Sequence, residues 1–129
     1  MITAVDTNIF IDIIKQDAKA IGILAQAALE GQLVISEIVY AELCAGMSVT
    51  DVENLCSDFE VKLVRSSQEA LGLAGQMWRH YRSQHGARKE RVLADFIVAA
   101  HALKHADRLL THDRGFYQNY FKSLVLLNA

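Results

Sequence analysis

The first twelve residues, MITAVDTNIFID, constrain this chain more than any other stretch. Ile2 to Val5 is a short β-favouring run; Asp6 ends it, and Thr7 and Asn8 lead into apolar residues at helical spacing. The pattern predicts a strand, an acid at its end, a cap and a helix. In an open parallel sheet, ligands lie outside the carboxyl ends of the strands, so Asp6 becomes a candidate for chemistry. Helix capping accounts for the same residue and is the commoner use of a strand-end Asp taken alone, because Asp, Thr and Asn all accept bonds from free helical N–H groups. The choice between the two depends on acids further along.

The length of 129 residues matches a single domain over 1–129 with room for a core. A hydrophobic share of 52% against 22% charged residues excludes a disordered chain. There is no proline, low-complexity tract or repeat to mark a boundary. No run approaches the roughly eighteen apolar residues of a membrane span, and no basic start precedes an apolar segment. The expectation is therefore a cytoplasmic protein without membrane attachment. A net charge of −2 excludes a protein that coats nucleic acid by bulk positive charge. Cys44 and Cys56 fit neither CxxC nor a zinc pattern and are expected to be small buried hydrophobes.

Along the chain, Ile9 to Lys15 and Ala18 to Glu30 read as helices with a break at Gln16 and Asp17, and Gly31 as a stop. Leu33 to Ile35 is the second strand, and Ser36 caps a helix, SEIVYAELCAG. Thr50 to Asp58 is a short helix, Glu60 to Val64 a third strand, and Ser66 or Ser67 caps a long helix from Gln68 to about Ser83. A helix over Glu90 to His105 leads to a fourth strand at Arg108 to Thr111. Phe116, Tyr117, Tyr120 and Phe121 pack a terminal helix, and Leu124 to Leu127 is the last strand. Trp78 is read as a packing residue, and His101, His105 and His112 as surface or secondary polar groups without zinc spacing.

Three further acids stand out. Glu42 falls at about 100° per residue in the middle of the apolar stripe of its helix, where a carboxylate needs a partner or a metal. Asp95 sits among Val98, Ala99 and Ala102, with an ion pair to Arg91 as the plain alternative. Asp113 lies just past a strand end, as Asp6 does, in THDRGF, where an Asx-turn is the local explanation. The one basic concentration, Arg79 to Arg91, includes Arg88 and Arg91, which could steer a phosphate backbone towards Asp95.

If Asp6, Glu42, Asp95 and Asp113 converge, they form a pocket of hard oxygen ligands suited to Mg²⁺, with Mn²⁺ as a substitute. Such a pocket matches metal-dependent hydrolysis of a phosphodiester, and neither a nucleophile elbow nor a phosphate-binding loop competes with it.

VDTN at the start, AEL with Glu42, ADFIVAAHA with Asp95 and THDRGF with Asp113, in that order, resemble the PIN domain family, in particular the VapC-type ribonuclease toxins. The resemblance spans nearly the whole chain. It implies an α/β three-layer sandwich with a central, mostly parallel sheet of four to five short strands flanked by helices. It also implies a Mg²⁺ site and endonucleolytic cleavage of RNA. By the match of motifs, Asp6, Glu42, Asp95 and Asp113 take the acidic positions, with Thr111 and Asn8 as polar neighbours of the metal or phosphate; Asp113, at the family's most variable acid, is the least secure direct ligand. A homodimer and a cognate antitoxin, whose peptide fills the acidic groove, belong to the same implication. Two alternatives stay open: a non-catalytic RNA-binding or regulatory module, and a structure-specific DNA nuclease.

Overall fold

A computed structural model of the chain describes residues 1–85 and 91–128; Arg88 lies outside the described residues. Among these, the elements follow in the order β1 (Ile2–Val5), α1 (Thr7–Ile14), α2 (Ala18–Glu30), β2 (Gln32–Ile35), α3 (Glu37–Gly46), α4 (Val49–Asp58), β3 (Val61–Leu63), α5 (Gln68–His85), α6 (Leu93–His105), β4 (Arg108–Thr111), α7 (Arg114–Tyr120) and β5 (Leu126–Asn128).

The five described strands form one sheet in the order β3-β2-β1-β4-β5, with every pairing parallel. Parallel neighbours need long crossovers, which the helices supply. Consecutive residues of a strand point to opposite faces, and Ala4 and Val5, Leu33 to Ile35, and Leu109 to Thr111 are all buried. Both faces of the central strands are therefore covered, giving the sandwich that the sequence predicts.

The strand order fixes where a ligand can sit. From β1 the chain moves outward to β2 and β3, then crosses back to add β4 on the other side of β1. That reversal makes the gap between the carboxyl ends of β1 and β4 a topological switch point, where open α/β sheets form their crevice. The register aligns Val5 with Leu110, and the Asp6 amide extends the ladder to the Leu110 carbonyl at 3.0 Å. Asp6 and Thr111 thus leave the sheet side by side.

Several boundaries differ from those read in the sequence. α1 starts at Thr7 because Asp6 itself is the cap, and its end is marked by Gln16 at a positive φ of 62°. The last helix before β4 begins at Leu93, with Val92 extended at φ −116° and ψ 164°; Glu90, where the sequence reading starts it, lies outside the described residues. Leu124 and Val125 precede β5 instead of belonging to it. Among the described residues, Gly31 is the position where the backbone requires a glycine, since a Cβ there would lie 1.8 Å from the Met1 carbonyl oxygen.

Three residue readings are also corrected. His101 is buried, not a surface group, with Nε2 at 2.6 Å from the Val64 carbonyl oxygen, because α6 packs against α5 along its length. Cys44 and Cys56 are half-buried where full burial was expected. Glu42 is exposed, not aimed into the core. The buried residues of α3 are Val39 and Leu43, so Glu42 stands about 80° off the line between them, at the margin of the stripe and not in its middle.

Candidate active site

Asp6 unites the two readings that the sequence left open. Its Oδ1 accepts the Thr7 N–H at 2.8 Å, the ordinary capping bond of α1. Its Oδ2 accepts the Thr111 hydroxyl at 2.8 Å and the Tyr117 hydroxyl at 3.2 Å, with the Asn8 amide at 3.5 Å. A cap needs one oxygen near a helix end; these further donors come from β4, α7 and the second residue of α1. Only 8% of Asp6 is exposed. Burial raises its pKa above the ordinary 3.8, aided by the charge of Glu42 and opposed by the bonds from Thr111, Thr7 and Tyr117.

Thr111 is the hub of the strand ends. It is fully buried, donates to Asp6, and accepts the Asp113 N–H at 3.0 Å and the Asn8 amide at 3.5 Å. Asn8 returns a bond through its Oδ1, which accepts the His112 N–H at 3.4 Å. The start of α1 is thereby stitched to the end of β4.

Glu42 joins from α3: the Thr7 hydroxyl donates to its Oε1 at 2.7 Å. Thr7 thus gives its amide to Asp6 and its hydroxyl to Glu42, placing the two carboxylates on either side of one residue. Asp95 is the third residue of α6, and its Oδ2 accepts the Val92 N–H at 3.1 Å, so this acid also caps its own helix.

Asp113 is differently engaged. Arg91 donates to both of its oxygens, Nη1 to Oδ2 and Nη2 to Oδ1, the latter at 3.1 Å. The guanidinium lies 4.3 Å from the centre of the Phe116 ring. The bond to Asp113 holds Arg91 still more firmly protonated than usual, with the charge of Asp95 contributing. The partner of Arg91 is therefore Asp113, and the i, i+4 ion pair with Asp95 considered from the sequence is replaced by this one.

Tyr117 is a residue that sequence reasoning assigned to packing, with base stacking as the lesser use. It is 2% exposed, and burial pushes its phenol well above the ordinary tyrosine range, followed by the charges of Asp6 and Asp95, the bond to Asp6 and the charge of Asp113. Of these aspartates, Asp6 is the one hydrogen-bonded to the hydroxyl, at 3.2 Å. The signal was present in the spacing: Tyr117 follows Asp113 by one helical turn and shares its face of α7. A second unread pair is His112 with Asp12, whose Nε2 and Oδ2 are in hydrogen-bond contact at the mouth of the crevice.

Among the described residues, no three acidic, histidine or cysteine side chains form a ready-made metal cage. The donors at hand are carboxylate and hydroxyl oxygens, which suit a hard divalent ion and not zinc. Mg²⁺ keeps several waters and needs one or two carboxylates, so the Asp6 side of the crevice fits its chemistry. Asp113, with both oxygens held by Arg91, fits it least.

Fold and site together define an open parallel α/β protein with acids just past the carboxyl ends of the two strands at its switch point. The chain belongs to the PIN domain family, whose model matches residues 3–122. Family membership supports a nuclease. Similar solved structures include VapBC2 from Rickettsia felis bound to a DNA fragment from their promoter, at 24% identity and a TM-score of 0.76, covering 99% of this chain and 98% of that one. VapBC-1 from nontypeable Haemophilus influenzae matches at 25% identity and a TM-score of 0.75, covering 99% and 98%. FitAcB from Neisseria gonorrhoeae matches at 23% and 0.67, covering 99% and 97%. A comparison with curated proteins returns no match. Among the described residues, no helix is long and apolar enough to cross a membrane.

Proposed function

We propose that this single PIN domain, over residues 1–129, is a Mg²⁺-dependent endoribonuclease, the toxin of a bacterial toxin–antitoxin pair acting in the cytoplasm. Support for the reading comes from the linkage of acids at the β1/β4 switch point: Asp6 is clasped by Thr111 and Tyr117, Glu42 is tied to it through Thr7, and the Asp113 N–H is bonded to the same Thr111 hydroxyl. The likeness to the VapBC structures supports the toxin assignment and a cognate antitoxin.

Asp6 and Asp95 would bind the ion directly, and Mn²⁺ would substitute for Mg²⁺. Bound there, the ion supplies charge neutralisation at the phosphate and a more acidic water. Glu42, exposed beside Thr7, is placed to bind it as well or to orient the attacking water. Asp113 holds an outer water or a second ion, while Asn8 and Thr111 fix the orientation of Asp6. Arg88 and Arg91 steer the RNA backbone; among the described residues, the pairing with Asp113 uses two of the five N–H donors of Arg91. A homodimer is part of the same proposal.

Cleavage of a structured RNA in Mg²⁺, in EDTA, and by Asp95→Asn in Mg²⁺ tests the reading. Cleavage in the first case alone is expected; equal cleavage in all three ends it. DNA of the same structure belongs in the same assay, because cleavage of DNA alone would reassign the substrate. The Arg91–Asp113 pair is the one observation that favours a non-catalytic RNA-binding module, since it engages an acid that turnover would use. Tight RNA binding in chelator with no cleavage under any divalent metal would select that alternative.

A further inference from the structure

The donors around Asp6 are unevenly shared between its oxygens. Oδ2 faces three of them, the hydroxyls of Thr111 at 2.8 Å and Tyr117 at 3.2 Å and the Asn8 amide at 3.5 Å. Among the described residues, Oδ1 accepts only the Thr7 N–H at 2.8 Å. An ionised carboxylate offers about four lone-pair sites over two oxygens, so Oδ2 is filled and Oδ1 retains capacity.

The ring that carries the Tyr117 hydroxyl is itself held. Its neighbour Phe116 stacks edge-on against Phe96 of α6, with centroids 5.2 Å apart and planes at 89°. Asp113, one turn earlier, is tied to Arg91, which also covers Phe116. α7 is thus anchored to α6 through Phe116 and, at its start, to Arg91. We propose that Tyr117 is a positioning residue whose hydroxyl, together with that of Thr111, anchors Oδ2 of Asp6 so that Oδ1 is the oxygen presented to a divalent cation. This rests on the metal-dependent reading above. It gives a buried tyrosine a role that packing does not require, since phenylalanine fills the same volume.

The test compares Mn²⁺ binding to the full chain and to Tyr117→Phe by electron paramagnetic resonance at one pH, with near-UV circular dichroism confirming the fold. Loss of a group hydrogen-bonded to a metal ligand typically alters affinity about 10- to 100-fold, so the Kd of the variant should rise roughly tenfold. Tyr40→Phe, which removes a hydroxyl bonded to Glu53 at 2.6 Å between α3 and α4, should keep the parent Kd. In RNA cleavage, Tyr117→Phe should lower kcat and leave KM unchanged, a split that a packing role would not produce. A folded Tyr117→Phe with the parent's Mn²⁺ affinity overturns the proposal and leaves the nuclease reading intact. No Mn²⁺ binding by the parent overturns the metal reading beneath it. Should the variant fail to fold, a Mn²⁺-loaded crystal of the parent decides: contact through Oδ1, with Tyr117 still on Oδ2, supports the assignment, and contact through Oδ2 overturns it.

Discussion

The Thr111 hydroxyl donates to Oδ2 of Asp6 at 2.8 Å, joining residues 105 positions apart at the ends of adjacent parallel strands. Removing it leaves a buried carboxylate short of a donor and deprives the Asp113 N–H of its acceptor. Thr111→Val should cost about 1–3 kcal/mol in a urea unfolding series and weaken metal binding. Thr111→Ser, which keeps the hydroxyl, should lie closer to the parent in both.

The raised pKa of Asp6 gives the chelated protein a pH signature. In the folded state Asp6 holds its proton to higher pH than in the unfolded chain, so folding takes up a proton between the two values. Its contribution is fully present below the unfolded value of about 3.8 and is lost as pH rises through the folded one. In EDTA, Asp6→Asn should therefore melt above the parent at neutral pH, with the gap closing as pH falls towards 3.8. A gap that widens on acidification would contradict the burial argument.

Mg²⁺ should raise the melting temperature of the parent, by an amount equivalent to about 2.7 kcal/mol when the ion is at a hundred times its Kd. Asp95→Asn should abolish most of that rise yet be no less stable than the parent in chelator, because an amide oxygen can still accept the Val92 N–H. A large loss in chelator would make Asp95 a structural capping residue and nothing more.

His101 sets the acid limit. Burial lowers its pKa from the ordinary 6.5, with the charge of His105 adding and the Val64 carbonyl and Glu37 opposing. A neutral buried imidazole stabilises fully above the unfolded value and progressively less as pH falls towards the folded one. Stability of the parent should therefore decline from about pH 6.5 downward, and His101→Gln should flatten that part of the profile.

The acids at strand ends were legible because two local rules coincide there: a β-favouring run stops, and a polar residue follows. Asp6 and Thr111 emerge at the switch point where those rules place them. Glu42 was misplaced because a helical wheel gives angles but not the direction of the neighbour; α3 buries Val39 and Leu43, and Glu42 turns towards the start of α1. His101 was misread for the same reason, since the length of α5 packed against α6 is a tertiary fact. The partner of Arg91 lay outside helical spacing altogether, because Arg91 precedes α6 in non-helical backbone and reaches across to Asp113. Tyr117 shares a helix face with Asp113, yet only the approach of β1 to α7 turns that face into part of the crevice.

Whether Asp6 and Asp95 share one hard divalent ion is decided by anomalous scattering from a Mn²⁺-soaked crystal. A shared ion gives a peak at about 2.0–2.3 Å from carboxylate oxygens of both residues, at the carboxyl ends of β1 and β4. A crystal saturated in Mn²⁺ with no peak there, and with Asp6 bonded only to Thr7, Thr111, Asn8 and Tyr117, would contradict a shared ion.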